Sequence, residues 1–149
     1  MAVTAGWFGN VFLKLLNKEV DWDSDTIKVA LFTNAHAPDQ DVDVYYDAEH
    51  GMTEVSSGNG YTTGGATLAN KSIGYTAGTN VIKLDADNAA WAASTITARY
   101  AVVYDSTPES NKPMLCYIDF GEDVASTAGT FTITWHDDGI LTITPAVPA

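Results

Sequence analysis

Thr26-Ile-Lys-Val-Ala-Leu-Phe-Thr33 is where the chain changes its period. Ile27, Val29 and Leu31 alternate with Lys28, Ala30 and Phe32, the twofold spacing of a strand with one strongly apolar face. Downstream the same reading recurs in short segments at Ala66–Ile73, Asn80–Leu84, Thr95–Tyr104, Met114–Phe120, Thr130–Trp135 and Ile140–Thr144. Short strands with turn residues between them, and no helices to carry parallel crossovers, point to antiparallel pairing. In Thr130-Phe-Thr-Ile-Thr-Trp135 threonine alternates with Phe131, Ile133 and Trp135, and His136-Asp-Asp-Gly139 supplies turn chemistry, so the last two strands are expected to form a hairpin. The 18 threonines suit exposed strand faces. The expected fold is mainly β, an antiparallel β-sandwich or barrel-like domain with one N-terminal amphipathic helix.

That helix is read upstream. Trp7, Phe8, Val11, Phe12, Leu15 and Leu16 recur at helical spacing over residues 5–19, with Thr4 as a possible N-cap and Lys14 and Lys18 toward the C-terminal end. Residues 1–20 are therefore expected as a helix or arm, which either covers an open end of the sheets or docks on a neighbour. Residues 21–149 form a single β domain with a long loop at about 34–65, broken by Pro38, a string of Asp residues and Ser56-Ser-Gly-Asn-Gly60. A short strand is expected near Tyr61. Loops of this length inside a domain are functional or mobile.

A chain of 149 residues, 46% hydrophobic, has enough apolar material for one core. Its charge is lopsided: seven basic residues against 19 acidic ones leave −12. That balance disfavours nucleic acid and anionic membrane as partners. A lone cysteine, Cys116, excludes an intrachain disulfide, and no Cys/His spacing suits zinc. No apolar run approaches a membrane span and the first residues lack a basic leader, so the chain is expected to be soluble and made in the cytosol.

Few residues suggest chemistry. Asp39-Gln-Asp41-Val-Asp43, with Asp47 and Glu49 following, matches the first half of a calcium loop, but Val44 stands where the sixth-position glycine belongs and His50 replaces the final glutamate. Asp21-Trp-Asp23-Ser-Asp25 repeats the spacing and leads straight into a strand. The first reads as a solvated acidic loop and the second as helix termination and strand-edge solvation, and no metal or other cofactor is expected. Cys116 shares a strand face with Met114, Ile118 and Phe120, which makes it a small buried hydrophobe. His36, His50 and His136 lie in loops without motif partners, and no nucleophile elbow or phosphate-binding loop is present. With 19 carboxylates, some pair at glycosidase spacing is inevitable and therefore uninformative. Gly58-Asn-Gly60 and Thr63-Gly-Gly65 read as turn glycines. Arg99, the one arginine, is expected to clamp a carboxylate. The reading names no catalytic, cofactor-binding or metal residues and expects no enzyme.

Between Thr26 and Pro145 an ordered set of segments resembles a family of small tailed-bacteriophage virion proteins. These are Lys28-Val-Ala-Leu-Phe-Thr33, Tyr45-Tyr-Asp47, Gly60-Tyr-Thr-Thr-Gly-Gly-Ala-Thr-Leu68, Thr97-Ala-Arg-Tyr-Ala-Val-Val-Tyr-Asp105, Tyr117-Ile-Asp-Phe-Gly-Glu122 and Gly139-Ile-Leu-Thr-Ile-Thr144. The resemblance implies a structural component of a virion assembled in the bacterial host cytoplasm. It would act as a capsid decoration or cementing protein on the outer head, or as a tail, neck or small fibre component. The partners implied are the major capsid protein or tail and neck proteins, with the chain present as a homo-oligomer or in many copies. The N-terminal helix and the 34–65 loop are the segments expected to touch neighbours. A carbohydrate-binding or carbohydrate-active module is a further alternative, resting on Trp22, Tyr45, Tyr46 and Trp91 as exposed aromatics.

Overall fold

In the computed structural model, which describes residues 2–48 and 51–148, the elements in chain order are β1 (Thr4–Trp7), α1 (Val11–Leu16), β2 (Ile27–Phe32), β3 (Ala66–Thr67), β4 (Ser72–Thr76), β5 (Val81–Asp85), β6 (Ala89–Ser94), β7 (Thr97–Asp105), β8 (Met114–Ala125), β9 (Gly129–Ile133) and β10 (Leu141–Ile143). One sheet runs β1-β8-β7-β2-β3, every pair antiparallel. Its edges stay open, so the arrangement is sandwich-like and not a closed barrel.

The second layer is built on the continuous stretch 81–94. Ala89 pairs with Ile133 and Leu84 with Leu141, so β9 and β10 lie in succession along that stretch, and β4 pairs with β5 on its other side. Residues 85–88 face residues 134–140, which loop out. The expected hairpin between the last two strands is corrected here. His136-Asp-Asp-Gly139 does form a tight turn, with the Gly139 N–H donating to the His136 carbonyl at 2.8 Å, yet β9 pairs with β6 and β10 with β5. Phe131 and Ile133 on one side of the turn, and Leu141 on the other, all reach the core in this way.

Between the layers Ile27, Val29 and Leu31 of β2 and Ala101 and Val103 of β7 meet Leu84, Trp91, Phe131 and Leu141. Each Ile, Val, Leu or Phe side chain among them contributes roughly 1.5–3 kcal/mol by leaving water. The other face of the first sheet is apolar too: Ala30, Phe32, Tyr100, Val102 and Tyr104 are buried there with Phe8, Met52 and Met114. β2 is thus covered on both faces. The cover is the long loop, which contributes Met52 and Tyr46. Residues 53–55 run beside the end of β2, with Thr33 N–H to Thr53 O at 2.9 Å and Val55 N–H to Leu31 O at 2.8 Å. Near Tyr61 there is a turn bridged between Gly58 and Tyr61 where a short strand was expected.

The 5–19 helix is also corrected. Residues 4–7 are an edge strand on β8, and the helix occupies only 11–16, with Asn10 and not Thr4 at its N-cap position. Gly6 and Gly9 disfavour helix in this stretch. Gly6 lies opposite Tyr117 in the register, and a Cβ there would meet the tyrosine ring at 2.6 Å, so this glycine admits the ring across the strand pair. Phe8 and Val11 are buried, which ties the segment into the domain. The expected strand at Ala66–Ile73 is likewise two strands, β3 and β4, separated at Asn70, whose φ is +50°. β6 is a strand for which no expectation was formed.

Candidate functional site

A polar constellation around Glu54 holds the long loop on the first sheet. Glu54 accepts from the Tyr61 hydroxyl at 2.6 Å through Oε1, from the Gly64 N–H at 2.7 Å, and from the Tyr46 hydroxyl through Oε2. Tyr61 in turn accepts from the Leu31 N–H at 3.0 Å, which orients its own proton toward the carboxylate. Tyr46 stacks on Tyr104 with ring centroids 4.0 Å apart, and the Tyr104 hydroxyl donates to the Gly64 carbonyl at 2.8 Å. Burial, then the Glu54 carboxylate, pushes Tyr46 and Tyr61 far above the ordinary tyrosine value, and the same two causes push Tyr104 up to about 12. All three hydroxyls therefore remain donors at neutral pH. Gly65 completes the anchor: its φ is +75°, and a Cβ there would lie 1.9 Å from the Val29 carbonyl oxygen. The arrangement fixes a loop; the hydroxyl protons and the carboxylate are all engaged in doing so.

The two Asp-x-Asp-x-Asp segments share one geometry. Asp39 Oδ1 accepts from the N–H groups of Asp41 and Val42, while Asp43 Oδ2 accepts back from the Asp39 N–H at 2.6 Å. Asp21 Oδ1 likewise accepts from Asp23 and Ser24, and Asp25 Oδ2 from the Asp21 N–H at 2.6 Å. First and fifth carboxylates clasp one turn reciprocally, as a capping box does at a helix start. The spacing thus has a structural cause, and among the described residues no group of three or more His, Cys, Asp or Glu is placed to hold a metal ion. Glu49 and His50, which complete the calcium-loop comparison, lie outside the described residues.

The remaining candidates disperse. His36 is exposed beside Gly51, and His136 is exposed at the turn with Nδ1 3.4 Å from Asp138. Cys116 is buried, and burial pushes its thiol up to about 12. Arg99 grips Asp119, Nε to Oδ1 at 2.7 Å and Nη2 to Oδ2 at 3.3 Å, at a bulge where the β7–β8 register shifts. That bond holds Asp119 below the usual carboxylate range. The aromatics named for a carbohydrate site are corrected: Trp22 and Trp91 are core residues, Tyr46 belongs to the Glu54 anchor, and Tyr45 is half-buried over the Lys14 ammonium.

What the fold leaves open is a seam between its layers. Edge strand β1 and residues 132–142 flank a groove of about 850 Å³. Trp7, Tyr117, Ile118 and Phe120 line one side, and Ile133 and Trp135 the other. Trp7 is 43% exposed and Val3 is 65% exposed, large apolar groups on an unpaired edge. No charged side chain occurs among the first 13 residues of this acidic chain. Sequence reading missed this surface because it took Trp7 for a helix residue; Gly6 and Gly9 were the available signal. No family model matches the chain, and no curated protein or solved structure matches it either.

Proposed function

We propose that the protein is a non-catalytic structural subunit of a tailed-bacteriophage virion, a decoration or cementing protein on the outer surface of the head. The resemblance of its ordered segments to small virion proteins motivates the reading. The observation that carries it is the open seam: a sandwich-like domain with an uncharged, apolar edge at Val3–Trp7 offers a surface suited to a protein neighbour. The major capsid protein is the partner in this reading, with many copies of the chain on each particle. The charge of −12 then belongs to the outward surface, where repulsion keeps particles dispersed, and to assembly, where a basic shell attracts the subunit.

In this reading the contact expected of the N-terminal segment falls on its edge at Val3–Trp7, at the seam. The N-terminal segment is an edge strand and the 34–65 loop is a cover on the first sheet, so the seam is the better contact. Deleting residues 2–18 would remove part of the core along with any arm. Thr134→Arg, placed on an exposed rim residue of the groove, is the cleaner perturbation and should abolish binding to undecorated shells. Quantitative densitometry of purified particles tests the assignment. A copy number on the scale of the major capsid protein supports decoration, a number set by one or a few rings moves the subunit to the tail or neck, and absence from particles refutes the proposal. Attachment that weakens as salt rises would assign the acidic residues to the contact, because attraction between exposed charges is screened beyond about 8 Å at physiological ionic strength and over shorter distances as salt rises.

A further inference from the structure

We propose that the free edge of β4 docks a second copy of this chain, the two β4 strands pairing antiparallel about Gly74. The proposal concerns a surface separate from the seam and does not rest on the virion reading. Every residue of β4 is exposed, and so is the turn that follows it. The register places Ile73 opposite Leu84 and Tyr75 opposite Ile82, while Leu141 and Ile143 flank the same two residues from β10. These residues share one face of the second layer, and burial falls away along it. Leu84 is fully buried, whereas Ile73 is 48% and Tyr75 61% exposed. The apolar row therefore runs past the end of its cover. Beside it lies a hollow of about 560 Å³ whose lining is mostly apolar, Leu15, Trp22, Ile73 and Ile82 among it, with Lys18 and Asp21 as its charged members.

An unguarded edge that complements itself selects the occupant. Edge strands are normally guarded by charged side chains or proline, and residues 72–82 carry neither. Two lysines flank this stretch, but Lys71 is bonded to the carbonyls of Asp23 and Asp25, and Lys83 to Asp85 and the Asp137 carbonyl. In a chain of net charge −12, copies repel one another over most of their surface, and this hairpin is an acid-free stretch on which they can meet. Pairing is also self-complementary. With Gly74 on the twofold axis, Ile73 faces Tyr75 of the second copy and Tyr75 faces its Ile73, two apolar cross-strand pairs. The two second layers then become one continuous sheet.

Sedimentation equilibrium over a concentration series tests the dimer, and cysteine trapping tests its register. The mass should rise from 15.9 kDa toward twice that value, and Tyr75→Lys should hold it at 15.9 kDa while the circular dichroism spectrum stays native. A Cβ at Gly74 or at Gly78 meets nothing within 4 Å, so cysteine fits at either position. On oxidation Gly74→Cys should give a crosslinked dimer on a non-reducing gel, its two Cα atoms being within disulfide range across the axis. Gly78→Cys, equally exposed but far from the axis, should not, and buried Cys116 takes no part. A native mass of 15.9 kDa at every concentration, a dimer that survives Tyr75→Lys, or equal crosslinking of the two cysteine variants would each overturn the proposal.

Discussion

Replacing Glu54 by alanine should detach the long loop from the first sheet. The carboxylate receives three donors, and two of them cannot turn to water: the hydroxyl of Tyr61, a residue 2% exposed, and the N–H of buried Gly64. A donor left unsatisfied in such a place costs about 1–3 kcal/mol, so the pair should cost about 4 kcal/mol once the smaller loss at half-buried Tyr46 is included. For a chain of this length each kcal/mol moves the melting temperature by about 2–4 °C, which gives a fall of about 8–16 °C. Urea unfolding followed by tryptophan fluorescence measures the change directly. Tyr61→Phe, made in the native and the Glu54→Ala backgrounds, should show a coupling above about 1 kcal/mol, because hydroxyl and carboxylate act as one unit. A Glu54→Ala protein within about 0.5 kcal/mol of the native one, or no coupling to Tyr61, would refute the idea that this carboxylate anchors the loop.

Gly65→Ala should be among the most damaging single substitutions, about 3 kcal/mol or more, since backbone and not a flexible side chain blocks the new methyl; Gly74→Ala, in open space, should be near neutral, and thermal melts compare the two. Asp105 is fully buried with Oδ2 lacking a donor, and burial together with the neighbouring Asp25 charge raises its carboxyl above the usual range. A raised acid contributes its stability below the unfolded value of about 4 and loses it as pH climbs through the folded value, so Asp105→Asn should gain stability at pH 7 and none near pH 4. Parallel pH–stability curves for the two proteins would contradict this. Asp119 works in the opposite sense: Arg99 holds it low, so its contribution is present at neutral pH and fades as acid protonates it in the fold. Cys116 should resist a thiol reagent such as Ellman's at neutral pH until the domain unfolds, and rapid labelling of the native protein would place the thiol at the surface.

The strands were readable where one residue in two had to be apolar. β2, β5, β7, β8, β9 and β10 lie where alternation placed them, because side chains of a strand point alternately to opposite faces whatever the partner is. The pairing at Arg99 was legible as well, since one guanidinium among so many carboxylates was expected to clamp one; the Asp spacing, read as solvated, instead clasps its turns, with Asp43 buried. Reading failed where a segment was consistent with two periods. Trp7, Phe8, Val11 and Phe12 fit a helix stripe, yet Gly6 opposite Tyr117 favours a strand, and only the presence of β8 as a neighbour resolves the choice. β6, in Ala89-Ala-Trp-Ala-Ala-Ser94, lacks the β-branched residues that signal a strand and is held by its pairing with β9.

Local chemistry by itself determined the class of this protein: mainly β, antiparallel and acidic. The tertiary structure decided the partners. It set β9 and β10 end to end along residues 81–94 instead of against each other. It drew the 34–65 loop over the sheet through Glu54, and it left β1 and β4 as open edges. The division has a physical reason. A side chain's preference for one face of a strand is a property of a few neighbouring residues, whereas the choice of a neighbouring strand compares contacts between residues distant in the chain.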